Sequence, residues 1–149
     1  MIAGATFLLL LNAGILAAQS NNIMDEILAS AAISYEQAAY LLLIADGTLE
    51  DEAPLADAHR QAEARGTALG APAEKSLTLG EFAWLTMGSF GIDGGLMYRI
   101  APGPRYAARE LAFREVIQAR AYPGMPISGE WAVRIIGRVL TLTEAGRLQ

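Results

Sequence analysis

The stretch Leu77–Gly91, Leu-Thr-Leu-Gly-Glu-Phe-Ala-Trp-Leu-Thr-Met-Gly-Ser-Phe-Gly, decides how the rest of the chain is read. Thr78 suits an N-cap, because its hydroxyl can accept from one of the four backbone N–H groups that a helix start leaves without partners. Glu81, three residues on, can reach back to the cap amide and close a capping box. Leu77 before the cap and Phe82 after it have the spacing of a hydrophobic staple. A short apolar helix with a defined first residue is therefore expected here. The arrangement recurs upstream as Ile33-Ser34-Tyr35-Glu36-Gln37-Ala38-Ala39-Tyr40-Leu41-Leu42. It recurs downstream as Ile127-Ser128-Gly129-Glu130-Trp131-Ala132-Val133-Arg134-Ile135-Ile136. Three copies in 149 residues point to a repeat protein.

Composition supports helices. Alanine and leucine are abundant, β-branched residues are thinly spread, and the fold class expected is all-α. A chain of 149 residues has room for one domain with a real core. The hydrophobic fraction of 53% and mean hydropathy of +0.30 are high, and much of the excess sits in Met1–Ala18. That apolar run, followed by Gln19-Ser20-Asn21-Asn22, has about the length of a signal-peptide core with its flanks, and is short for a membrane span of roughly 20 residues. Ala18-Gln19-Ser20 places small residues where a signal peptidase reads, although no positive charge precedes the run. Residues 1–20 are thus expected to be either a cleaved signal peptide or a retained apolar helix, and residues 21–149 the folded domain.

The net charge of −5 is unevenly distributed. No Lys or Arg precedes Arg60, so that half carries −8, whereas residues 60–149 carry +3. Such polarity either steers a partner, lets copies stack end to end, or leaves two solvated halves. No basic patch is interleaved with aromatics, which argues against nucleic acid. The absence of cysteine excludes disulfides, thiolate metal sites, a thiol nucleophile and a lipoprotein anchor.

Along the chain, Ile23–Ser30 reads as a short helix with Asp25 and Glu26 well placed in its first turn. Ser34–Ala45 should stop at Asp46-Gly47, and Pro54 should open a polar helix over Leu55–Arg65 that Gly66 ends. Gly91–Gly95 should break the Thr78 helix, and Leu96–Pro104 reads as irregular. Arg105–Ala119 is expected to be the longest good helix and Ser128–Leu140 the last strong one, with a tail that frays from Thr141. The order expected is short helix, loop and capped helix, three times over, with the capped helices gathered about a common core.

Tyr106-Ala107, Glu110-Leu111, Val116-Ile117-Gln118, Pro123 and Ile127-Ser128-Gly129-Glu130-Trp131-Ala132 together resemble an S-layer homology repeat. Leu55–Phe90 resembles a second copy, with Pro72 and Thr78-Leu79-Gly80-Glu81 in the matching places, and Met24–Ala45 a shortened first. The resemblance spans most of residues 22–140. It implies a module of three helical repeats that holds a secreted protein to cell-wall polysaccharide, largely through an arginine at each helix start. Tyr35, Leu79 and Gly129 stand where that arginine is expected.

Chemistry is harder to find. His59 is the only histidine, and with Glu63 it supplies two metal ligands at most. The acidic segment Asp46–Glu52 lacks EF-hand spacing, and Gly91–Gly95 lacks the Lys-Ser/Thr of a phosphate loop. No Gly-x-Ser-x-Gly elbow and no Ser-His-Asp arrangement is evident. No catalysis, metal or cofactor is expected. Phe82, Trp84, Phe113 and Trp131 read as core, with Trp84 and Tyr40, which share a repeat position, as an alternative groove. Met97-Tyr98-Arg99 is the expected exposed aromatic-basic cluster. With Arg105 and Arg109 it forms the expected partner-binding surface.

These observations lead to an exported, non-catalytic scaffold of the periplasm or cell envelope that docks other envelope proteins, copies of itself included. The alternative is a wall-polysaccharide-binding module. Membrane attachment is expected only if residues 1–18 stay in place.

Overall fold

The backbone ring that ties three helix starts together is the centre of the structure. A computed structural model describes residues 22–65, 69–118 and 122–148. The helices are α1 (residues 22–29), α2 (Tyr35–Ala45), α3 (Leu55–Ala64), α4 (Leu79–Ser89), α5 (Leu96–Ile100), α6 (Pro104–Phe113) and α7 (Gly129–Glu144). The fold is all-α; among the described residues the β content is two isolated antiparallel bridges, Ser34 with Ser76 and Thr78 with Pro126. The apolar run Met1–Ala18 and the expected stop at Gly66 lie outside the described residues.

The three caps fall where the sequence places them. Ser34 and Thr78 each accept from the backbone N–H three residues on, and Gln37 and Glu81 each return a bond to the cap amide, completing two capping boxes. Ser128 accepts from Trp131 N–H, without the reciprocal bond. The residue before each cap is buried and joins a closed backbone cycle. Ile33 N–H donates to Ile127 O at 2.9 Å, Leu77 N–H to Ile33 O at 2.9 Å, and Ile127 N–H to Leu77 O at 3.3 Å.

The first-turn amides are satisfied around the same three segments, in the opposite cyclic sense. Tyr35 and Glu36 donate to Lys75 O and Ala73 O, in the loop before α4. Leu79 and Gly80 donate to Met125 O and Pro123 O, in the loop before α7. Gly129 donates to Ser30 O, just past α1. Amides that usually need water or a side chain are thus paired with a neighbouring loop.

Helix ends follow a common plan as well. After α2, α4, α6 and α7 the chain turns through a left-handed residue: Gly47, Gly91, Glu115 and Gly146. At each, the amide of that residue and the next donate back to the last turn, as in a Schellman motif. Glu115, at φ 61°, holds this conformation without being glycine.

Two of the pairings differ from the order expected. Each of α2 and α4 packs chiefly on the polar helix that follows it, α3 and α6 respectively, and not on the one before. The core comprises Ile33, Tyr35, Tyr40, Leu42, Leu43, Leu77, Leu79, Phe82, Met87, Leu111 and Ile127, all nearly inaccessible. α6 stops at Phe113 and does not reach Ala119, because Arg114 and Glu115 turn the chain out of the helix. α7 is instead the longest described helix, running past Leu140 to Glu144, since Leu142 still packs inward. Leu96–Ile100 forms a helical turn and a half in a segment expected to be irregular.

Candidate functional site

α5 contributes no buried residue. Its apolar side chains Leu96, Met97 and Ile100 are 69%, 61% and 69% exposed. They fall at i, i+1 and i+4 and so share one side of the helix. One aromatic holds the segment down: Tyr98 lies against Trp84 of α4, ring centroids 5.7 Å apart, and burial pushes its hydroxyl above the usual tyrosine range. Tyr98 can lie there because residue 94 is glycine, where a Cβ would come within 2.2 Å of the ring.

α6 forms the other wall. It turns Ala107, Ala108 and Leu111 toward the core, and Tyr106, Arg109 and Phe113, at i, i+3 and i+7, along a second face. Leu96, Met97, Tyr98, Tyr106, Arg109, Glu110 and Phe113 line a shallow groove of about 260 Å³ between α5 and α6. Glu110 pairs with Arg114 at 2.8 Å, and Arg114 also donates to the carbonyls of Asp93 and Leu148. That guanidinium ties the loop before α5 and the C-terminal segment to α6. Arg99, Arg105 and Arg109 are exposed and, among the described residues, take part in no ion pair.

Of the five residues expected to bind a partner, Met97, Tyr98 and Arg109 meet in this groove. Arg99 lines a separate hollow with Ile92, Asp93 and Pro102. Arg105 lies one turn before Arg109 on α6, beyond the groove lining. Phe113, expected in the core, is 85% exposed, because it follows the Tyr106–Arg109 face and not the Ala107–Leu111 face. Trp84 and Trp131 are only partly buried against the core. Tyr40 cannot line a groove with Trp84: it is buried, its hydroxyl donating to Asp51 O at 2.5 Å. Leu96, Ile100 and Tyr106 belong to the surface without having been singled out. For Tyr106 the signal was the stripe at i, i+3 and i+7 on α6, hidden by the alanine face beside it.

Elsewhere the polar clusters are tied up internally. Arg65 bridges Asp46 at 2.7 Å and Thr48 at 2.5 Å, joining the ends of α2 and α3. His59 packs edge-on against Tyr35, centroids 5.0 Å apart, with Nε2 3.2 Å from Ala71 O. The Tyr35 hydroxyl, which accepts from Leu69 N–H, is pushed up to about 12, chiefly by burial. Among the described residues no three of His, Asp and Glu come together to hold a metal, and no helix is long and apolar enough to cross a membrane. The positions where the S-layer homology resemblance expects arginine are closed: Tyr35 and Leu79 are 0% exposed and Gly129 is buried.

No family model matches the chain, and no curated protein or solved structure matches it.

Proposed function

We propose that this chain is a non-catalytic interaction module of the cell envelope that docks a partner protein in the groove between α5 and α6. The observation that carries this is α5 itself. It has no fully buried residue and meets the core through half-buried Tyr98, yet it exposes three large apolar side chains beside Arg109, which among the described residues takes part in no ion pair. Contiguous exposed apolar surface with a cationic rim is the chemistry of a docking site. Export is supported by the apolar run Met1–Ala18 and the small residues after it. The three capped segments are read as copies of one unit, on the strength of their equivalent places in the backbone ring. Wall-polysaccharide binding has less support, because side chains at Tyr35, Leu79 and Gly129 have no access to a glycan.

The test is a photo-crosslinking amino acid at Met97, with the same probe at Gly137 on the open face of α7 as control. A discrete protein adduct from position 97 and none from 137 is the expected result. No adduct from 97, or identical adducts from both positions, would refute a docking groove.

A further inference from the structure

We infer that the groove takes a second copy of this chain, through the acidic face of α1. This rests on the docking role of the groove and names its occupant. α1 is anchored by buried Ile27 and turns Asp25, Glu26, Leu28 and Ala29 outward. Asp25, Leu28 and Ala29 fall at i, i+3 and i+4, so one short ridge carries acid and apolar surface together. Leu28 is 42% exposed. The other large exposed apolar residues of the described chain are Tyr122, Ile100 at the end of α5, and three that line the groove, Leu96, Met97 and Phe113.

Charge and spacing match between ridge and groove. Asp25 and Glu26 belong to a half of the chain with no Lys or Arg, whereas Arg109 lines the groove and Arg105 stands one turn before it on α6. On α1 the acid-to-leucine distance along the axis is three residues, about 4.5 Å; on α6 Arg109 and Phe113 are four residues apart, about 6 Å. Leu28 can therefore sit on Met97 and Phe113 while Asp25 reaches Arg109, with Glu26 and Arg105 adding charge of matching sign beside that pair. The contact is heterologous: a pair keeps one free ridge, on one copy, and one free groove, on the other, so copies add head to tail. A single short helix buries less than a standard interface, which makes the contact weak, on the order of 100 µM, and sensitive to salt.

The experiment is sedimentation velocity on the full chain across a wide concentration range, at low and high salt. Two charge-reversed variants are compared with it: Asp25→Lys with Glu26→Lys, and Arg105→Glu with Arg109→Glu. The unaltered chain should associate at low salt, and association should weaken about tenfold in high salt and in each variant alone. Mixing the two variants should restore it, which also shows that both are folded. A chain monomeric throughout, a groove variant that weakens association while the α1 variant does not, or a mixture that fails to recover would overturn the inference. The Met97 crosslink separates this failure from the failure of docking. An adduct with a different protein sinks the second copy and leaves the groove, whereas no adduct sinks both. A monomeric chain that binds phosphatidylglycerol vesicles, and loses them in the Arg105→Glu, Arg109→Glu variant, would hand the groove to a lipid surface and also overturn the inference.

Discussion

Alanine at Gly129, Gly80 and Gly137 should move stability by amounts set by the space behind each α-carbon. At Gly129 a Cβ would fall 1.7 Å from Ile27 O and 2.5 Å from its carbonyl carbon. Both are backbone atoms, so no side chain can swing aside; α1 must retreat by well over an ångström. That displacement also breaks the Gly129 N–H to Ser30 O bond of 3.0 Å. Forcing such overlap costs about 1–3 kcal/mol and losing the backbone bond about 1 more, against a helix-propensity gain below about 1. The net expectation is a loss of about 1–4 kcal/mol. At Gly80 the nearest atoms, Pro104 O and Pro123 O, lie at 3.0 Å, which small shifts can relieve. There a loss of at most about 1 kcal/mol is expected, since overpacking and propensity nearly offset. At Gly137, within α7, nothing lies within 4 Å, so alanine should stabilise by about 0.5–1 kcal/mol. Urea unfolding followed by far-ultraviolet circular dichroism measures all three with a probe remote from Trp131. In thermal unfolding each kcal/mol corresponds to about 4 °C. Gly129→Ala with unchanged or increased stability would mean that α1 does not abut the start of α7, and the first-turn set would lose its Gly129–Ser30 bond.

Two further outcomes follow from the helix termini. Glu115 occupies a left-handed position that glycine fills after α2, α4 and α7, so Glu115→Gly should raise stability by about 1 kcal/mol in the same urea assay. Burial pushes the Glu81 carboxyl up, but bonds from Lys75 and Thr78 outweigh it and hold it below the usual carboxylate range. A carboxyl depressed in the folded state contributes stability above its unfolded pKa of about 4.3, and loses it as pH falls through the lower folded value. Unfolding free energy should therefore fall on acidification below about pH 4.5, and Glu81→Gln should flatten that part of the profile.

The helix starts were legible because their determinants are local. Ser34, Thr78 and Ser128 cap within three residues, so the same chain segment carries both donor and acceptor. The ring that joins them was not legible, because it is made of backbone bonds that any residue can form. That indifference also explains how the first helical position can be Tyr35, Leu79 or Gly129 while its amide keeps an equivalent partner. Gly129 looks unfavourable by propensity alone, and only the passage of Ile27 O beside it explains its choice. The end of α6 was misjudged for a related reason. Glu115 carries no glycine signal, yet Val116 and Ile117 beyond it are buried, and packing them holds the turn. Phe113 was misplaced because α6 has two stripes, and an alanine-rich face against α4 needs no large residue to close it.

The place of α5 in the chain bears on why the groove exists. The step from α2 to its partner α3 crosses residues 46–54, with no helix on the way. The equivalent step from α4 to α6 crosses residues 90–103 and carries α5 with it. Both pairs bury their apolar faces against the same core, so the extra length is not required by packing. It also works against stability: Leu96, Met97 and Ile100 stay in water, while Gly91, Gly94 and Gly95 add flexibility to the unfolded chain that folding must remove. Three contacts offset this locally, namely Tyr98 on Trp84, Gly95 beside Glu110, and Arg114 on the carbonyl of Asp93. All three fix the position of α5, and none covers its apolar side. A segment held firmly in place with its hydrophobic residues outward is preorganised for a second surface, and binding there forfeits little ordering entropy.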